Sequence, residues 1–159
     1  MNRRQLLIGG AAAAVALRAA PAFAASDEGG LLLGLWRREA GLALAYGQQV
    51  HTQPELFGPA RRYANEHAAA LATELAAVGL GTPKAPWTPN DLDIAAQRLA
   101  TARPADVLAN AVLAEEAMLD VYKTALPALP DAKIAMTAAT ILASHAQHLF
   151  LFRDAAKVP

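Results

Sequence analysis

Ala114-Glu115-Glu116-Ala117-Met118-Leu119-Asp120-Val121-Tyr122 repeats the plan of an earlier stretch, Arg38-Glu39-Ala40-Gly41-Leu42-Ala43-Leu44-Ala45-Tyr46. In each, a glutamate stands seven residues before a tyrosine. A helix turns about 100° per residue, so seven steps bring a side chain back to within roughly 20° of its starting direction. Glu and Tyr therefore share one face, two turns apart. The rest of that face is apolar: Leu32, Leu35, Trp36, Leu42 and Ala43 surround Glu39, and Leu108, Ala111, Val112, Met118 and Leu119 surround Glu115. A carboxylate centred in an apolar stripe is costly to bury alone, so the pattern demands positive or hydrogen-bonding partners from elsewhere in the chain.

Those partners are sought on two further helical stretches. Tyr63-Ala64-Asn65-Glu66-His67-Ala68-Ala69-Ala70-Leu71 places His67 in a stripe with Ala60, Tyr63, Ala64 and Leu71. Ser144-His145-Ala146-Gln147-His148-Leu149-Phe150-Leu151-Phe152 places His148 with Ile141, His145, Leu151 and Phe152. His145 and His148, three residues apart, project from one side of a helix and suit a common ion. A lone histidine on an apolar face is usually a hydrogen-bonded core residue. Two glutamate stripes and two histidine stripes converging on one core make a metal site a serious alternative.

The chain has 159 residues, 55% of them hydrophobic, and no cysteine. With few segments of strand-like alternation, this composition predicts an all-helical domain held together by core packing or a bound ligand. The segment Asn2-Arg3-Arg4-Gln5-Leu6-Leu7-Ile8, the apolar run that follows it and Ala22-Phe23-Ala24 resemble a twin-arginine export signal with its cleavage site. Residues 1–25 are expected to be that signal and residues 26–159 the exported domain, bound for the periplasm or cell envelope and not membrane-spanning. Without Arg3, Arg4 and Arg18, 11 of the 14 basic residues remain against 14 acidic ones. That mildly acidic balance argues against nucleic acid as a partner.

Four long helices are predicted. The first spans about Gly30 to Val50, with Ser26, Asp27 and Glu28 available to cap it. The second restarts near Thr52-Gln53-Pro54-Glu55, becomes regular by Ala60 after Gly58-Pro59, and continues to Val78. The Pro- and Gly-rich run from Gly79 to Pro89 reads as loop, followed by a short helix from Leu92 to Ala102 capped by Asn90 or Asp91. The third long helix begins at Pro104 and reaches about Leu126. The fourth runs from Ala132 to about Ala156, capped by Asp131. The connection between the second and third is about 25 residues, enough to travel the ~30 Å length of a bundle. A long crossover between two short connections matches a one-crossover bundle.

In this order of motifs (Glu-x6-Tyr, a His helix ending in Leu-Ala-Ala-Val-Gly-Leu-Gly, a second Glu-x6-Tyr, a second His helix ending near Arg153) the chain resembles the exported ferritin-like proteins of bacteria. The resemblance implies an antiparallel four-helix bundle with one long crossover between its second and third helices. In ferritin-like carboxylate proteins, one Glu from each of two helices and a Glu-x-x-His pair from each of the others hold two iron or manganese ions. Glu39 and Glu115 match the single glutamates; His67 and His148 match the histidines. Ala64 and His145 stand where the paired glutamates would be. Glu66, next to His67, points about 100° away from it on a helix, and is expected, like Tyr46 and Tyr122, to support the centre from outside.

A set of Glu39, Glu115, His67, His145 and His148 is nitrogen-rich and suits a single iron, manganese or zinc ion better than two irons bridged by carboxylates. The resemblance thus implies a metal binder, with catalysis at most a weak oxidase activity. The competing reading is a metal-free bundle, a structural or binding module in which Glu39 and Glu115 are satisfied by His67, His148, Tyr46 and Tyr122. Nothing favours haem: no Cys-x-x-Cys-His site is present, and the small-residue patch from Ala68 to Ala70 suggests tight helix packing. Arg37, Arg38, Arg61, Arg62 and Lys133 read as solvated faces or helix ends. No Ser-His-Asp order, P-loop or Gly-rich nucleotide fingerprint occurs.

Overall fold

The computed structural model describes residues 23–81 and 88–157, with side chains from Glu28 onward. The expected export signal, up to residue 22, and residues 82–87 of the expected loop lie outside the described residues. Five α-helices follow one another: α1 (Phe23–Gln49), α2 (Pro54–Ala77), α3 (Ile94–Ala100), α4 (Val107–Ala125) and α5 (Ala132–Ala155). No strand occurs among the described residues, so the chain is all-α there. The four long helices touch in a ring: α1 packs on α2, α2 on α5, α5 on α4 and α4 on α1, while α3 lies against α1 and α4.

Several boundaries differ from the expected ones. α1 begins at Phe23, so Ser26, Asp27 and Glu28 stand inside the helix and cannot cap it; buried Glu28 instead accepts a hydrogen bond from the Asp131 backbone N–H at 3.3 Å. α2 starts at once with Pro54 in its first turn and carries Pro59 within the helix. An interior proline costs a helix about 3 kcal/mol or more. Burial of Phe57 stabilises this end by about 2 kcal/mol, with aromatic contacts beyond that: its ring centroid lies 5.3 Å from Phe152 and 5.8 Å from Tyr46. At the other end, Gly79 adopts φ +79°, and the N–H groups of Gly79 and Leu80 reach back to the carbonyls of Ala76 and Leu75. Only glycine takes that left-handed position without strain.

The short helix α3 is capped by Asp93, not by Asn90 or Asp91. Asp93 Oδ1 accepts from the N–H groups of Ala95 and Ala96, both at 3.0 Å, and Oδ2 accepts from Arg38 at 2.9 Å. Asn90 and Asp91 belong to a preceding 3₁₀ turn, where the Asp91 carboxylate accepts from the backbone and hydroxyl of Thr88. Likewise α4 starts at Val107 and not Pro104, because Asp106 pairs with Arg103 in the turn before it. Arg38 is thus tied to α3. Lys133 is tied to buried Glu74 on α2 at 2.9 Å, so neither is merely a solvated charge.

α5 follows expectation: Asp131 Oδ1 accepts from the N–H groups of Lys133 at 2.8 Å and Ile134 at 3.0 Å. Asp131→Ala is expected to cost about 1 kcal/mol, read as a lower thermal midpoint, while Asp131→Ser should retain most of that stability. By length and composition α5 could cross a membrane; here a third (33%) of its most apolar window is buried inside the protein.

Candidate metal centre

Helical periodicity delivers the four expected side chains to one place. Glu39 on α1 and Glu115 on α4 are fully buried, and His67 on α2 and His148 on α5 are buried with them. All five apolar neighbours expected around Glu39 are buried. Around Glu115, Ala111 and Met118 are buried, while Leu108, Val112 and Leu119 are half-buried. The stripes err at their edges: Tyr63 is 40% exposed and Leu151 51% exposed, so neither belongs to the interior. Tyr63 lies over the rim of the site, its ring centroid 5.5 Å from that of His148 and 6.5 Å from that of His67. Glu66, expected to support the centre, is exposed and points to Arg62 at 3.8 Å, as its angular offset from His67 requires.

His145 is the hub. Its Nε2 lies 2.7 Å from Glu39 Oε1 and its Nδ1 lies 2.6 Å from Glu115 Oε2, so both ring nitrogens donate and the ring is an imidazolium clamped between two carboxylates. His67 Nδ1 approaches Glu39 Oε2 at 3.3 Å. His148 Nδ1 lies 3.2 Å from Glu115 Oε1, yet the geometry is not that of a hydrogen bond, and this buried nitrogen has no hydrogen-bond partner.

The two tyrosines complete the set crosswise. Tyr122 donates to Glu39 at 2.8 Å, and Tyr46 donates to Glu115. Each glutamate is therefore served by the tyrosine of the other motif. The reason is axial: seven residues span about 10.5 Å of helix, beyond reach of a bond within one motif. Because Glu39 meets Tyr122 and Tyr46 meets Glu115, α1 and α4 pass in opposite directions, and each motif presents its hydroxyl at the level of the other's carboxylate.

Burial opposes charge on Glu39, but the His145 charge and hydrogen bonds from His145 and His67 prevail and lower its pKa to about 2. Burial likewise opposes the lowering of Glu115, which the hydrogen bond from His145 and the charges of His145 and His148 nevertheless bring about. For His145, burial works against the cation, and the charge of Glu39 with the hydrogen bonds to Glu115 and Glu39 raises the pKa to about 10. Burial, with Glu115 beside Tyr46 and Glu39 beside Tyr122, pushes both phenols well above their ordinary value. They remain protonated donors. Tyr46→Phe is expected to cost about 1–3 kcal/mol by leaving a buried carboxylate oxygen short of a donor; in chemical denaturation, Tyr122→Phe should match it within about 1 kcal/mol.

Two groups of donors could each surround an ion: Glu39, His67 and His145, and Glu115, His145 and His148, with the donor atoms of each group within 4.8 Å of one another. Ala64, at a position where a ligand was missed in the sequence, is packed in the core at 1% exposure. Sequence reasoning overlooked buried Gln49, whose amide reaches the carbonyls of Leu99 at 2.9 Å and Ala100 at 3.2 Å and closes the end of α3. Its only signal was a polar residue recurring on the inward face of α1.

The chain matches no family model, no curated protein and no solved structure. Its chemistry is therefore argued from its own side chains.

Proposed function

We infer that this chain is an exported ferritin-like protein whose antiparallel four-helix bundle binds a divalent metal ion in its core. Two buried donor groups that meet on His145 carry the reading. The unpartnered Nδ1 of His148 favours it over hydrogen bonding alone, since a buried ring nitrogen without a partner costs about 1–3 kcal/mol and an ion would use it. The donor set, histidine nitrogen with carboxylate oxygen, suits iron, manganese or zinc, all of which accept such mixed sites. When bound, the ion would supply Lewis acidity or, if iron or manganese, a redox centre. Glu39, His67 and His145 on one side, or Glu115, His145 and His148 on the other, would hold it, and Tyr46 and Tyr122 would orient the carboxylates.

Ferritin-like topology is supported by the ring of four long helices and by the opposed directions of α1 and α4. With a short α1–α2 connection reversing the chain, α4 must run parallel to α2, which requires the connection between them to return along the bundle. The export signal and cleavage near Ala25 rest on the sequence of residues 1–25; replacing Arg3 and Arg4 together by lysine should trap precursor inside the cell, and unchanged export would refute the twin-arginine route.

The rival reading is a metal-free structural module. It is favoured by the Glu39–His145–Glu115 chain, which satisfies both carboxylates and neutralises one of their two charges without an ion. Elemental analysis of untagged protein, with thermal melting before and after chelation, separates the two. A metal protein holds near-stoichiometric ion, gains about 2.7 kcal/mol at 100 times the dissociation constant, and holds less ion and gains less in His148→Ala. Protein isolated without metal, whose melting point ignores added Fe(II), Mn(II) and Zn(II), would establish the module instead.

A further inference from the structure

We propose that His145 bridges two metal ions, one on each ring nitrogen, so that the centre is an imidazolate-linked pair. This rests on the metal-binding reading above and deepens it, replacing the single ion suggested by the ligand count. Nε2 of His145 faces Glu39, near which lies His67; Nδ1 faces Glu115, near which lies His148. The two nitrogens point out of opposite edges of a rigid ring, so one ion cannot take both. A single-ion site would leave one complete donor group idle.

The spacing is close to what two ions need. Bonds of about 2.0–2.1 Å to a tetrahedral ion put its donors about 3.3 Å apart. Here His145 lies 2.7 Å from one Glu39 oxygen and His67 3.3 Å from the other, His145 lies 2.6 Å from one Glu115 oxygen and His148 3.2 Å from the other, and one donor atom from each residue of a group lies within 4.8 Å of the other two. Opening the two shorter contacts by roughly half an ångström on each side of His145 would seat ions about 6 Å apart across the ring. Each ion displaces one ring proton of the imidazolium, and the two protons pass to solvent, leaving an imidazolate between the ions. Two divalent ions against two carboxylates and one imidazolate leave a single net charge, the same magnitude, with opposite sign, as the ion-free cluster.

Each ion would have two nitrogens and a carboxylate from the protein, with one position open. That set selects Cu(II) and Zn(II) over hard, oxygen-seeking cations. It also explains why a histidine at position 145, where the resemblance implies a glutamate, need not weaken a two-ion site: imidazolate bridges as a carboxylate does, at longer range.

The test is to strip the full chain of metal, load it with Cu(II) sulfate, desalt it, and count copper per chain alongside spin quantitation by electron paramagnetic resonance at liquid-helium temperature. A His51→Ala background removes the exposed fourth histidine. The bridged pair predicts two copper ions per chain and far less than two spins of signal, because coupling through the imidazolate pairs them. His67→Ala and His148→Ala should each retain one copper with one full spin. Two ions with two full spins would overturn the bridge, as would one ion with one spin in the unsubstituted site; both outcomes leave the metal-binding reading standing. No bound copper, with Zn(II), Fe(II) and Mn(II) equally unbound, would remove both.

Discussion

His145→Ala is expected to destabilise the ion-free protein by about 3–5 kcal/mol, more than any other single substitution considered. Glu39 and Glu115 are both fully buried, and His145 supplies each with a hydrogen bond of 2.7 Å or less together with, among the described residues, the only positive charge that touches both. Taking it away strands two carboxylates in an apolar interior, with Tyr122 and His67 left beside Glu39 and Tyr46 and His148 beside Glu115. A domain of this size has a total stability of about 5–15 kcal/mol, so the loss consumes a large part of it. Chemical denaturation with chelator present measures the change. The same cause requires non-additivity: Glu39→Gln should cost stability in the normal protein but recover some in the His145→Ala background, where it removes an uncompensated charge. A loss below about 1 kcal/mol for His145→Ala, or simple additivity of the pair, would contradict an imidazolium clamped between two anions.

The ion-free protein should be most stable between about pH 4.5 and 6.5 and lose stability on both sides. Glu39 has its pKa lowered from 4.5 to about 2, so its contribution is complete above 4.5 and disappears as pH falls through 2. His145 has its pKa raised from 6.5 to about 10, so its contribution is complete below 6.5 and disappears as pH rises through 10. Both shifts describe the same ion pair and count once, giving an effect of order a few kcal/mol over each window. Thermal midpoints across the pH range, with chelator present, should trace this dome. His145→Ala should flatten its alkaline limb and Glu39→Gln should reduce its acid limb. Metal loading should also flatten the alkaline limb, because ions then occupy the ring positions from which protons would be lost. A melting curve of the ion-free protein that stays level from pH 6.5 to 10 would show that His145 is not held as a cation.

Local sequence was enough wherever one helix decides the answer. Spacing assigned Glu39, Glu115, His67 and His148 to inward faces because angular position on a helix is a property of that helix alone, and all four are buried. Asp131 was legible as a cap for the same reason: its bonds reach only two and three residues ahead. Boundaries failed where an uncounted neighbour intervened, as when Asp93, held by Arg38, displaced Asn90 and Asp91 as the cap of α3. Edges of stripes failed too. Tyr63 and Leu151 lie within an apolar arc, but how wide an arc is covered depends on how closely the neighbouring helices approach.

By itself, then, the sequence determined an all-helical chain with two acidic and two histidine faces turned inward, through the 3.6-residue period and the turn residues between the long segments. Tertiary structure alone decided that Tyr46 serves Glu115 and Tyr122 serves Glu39, and that His145 stands between both carboxylates with a nitrogen toward each. The physical reason is that periodicity sets a side chain's direction around its own axis and carries no information on the axial level or identity of what it meets. The two carboxylates that hold the His145 protons stand 30 and 106 residues from it in the chain, and charge acts through the distances between them in space.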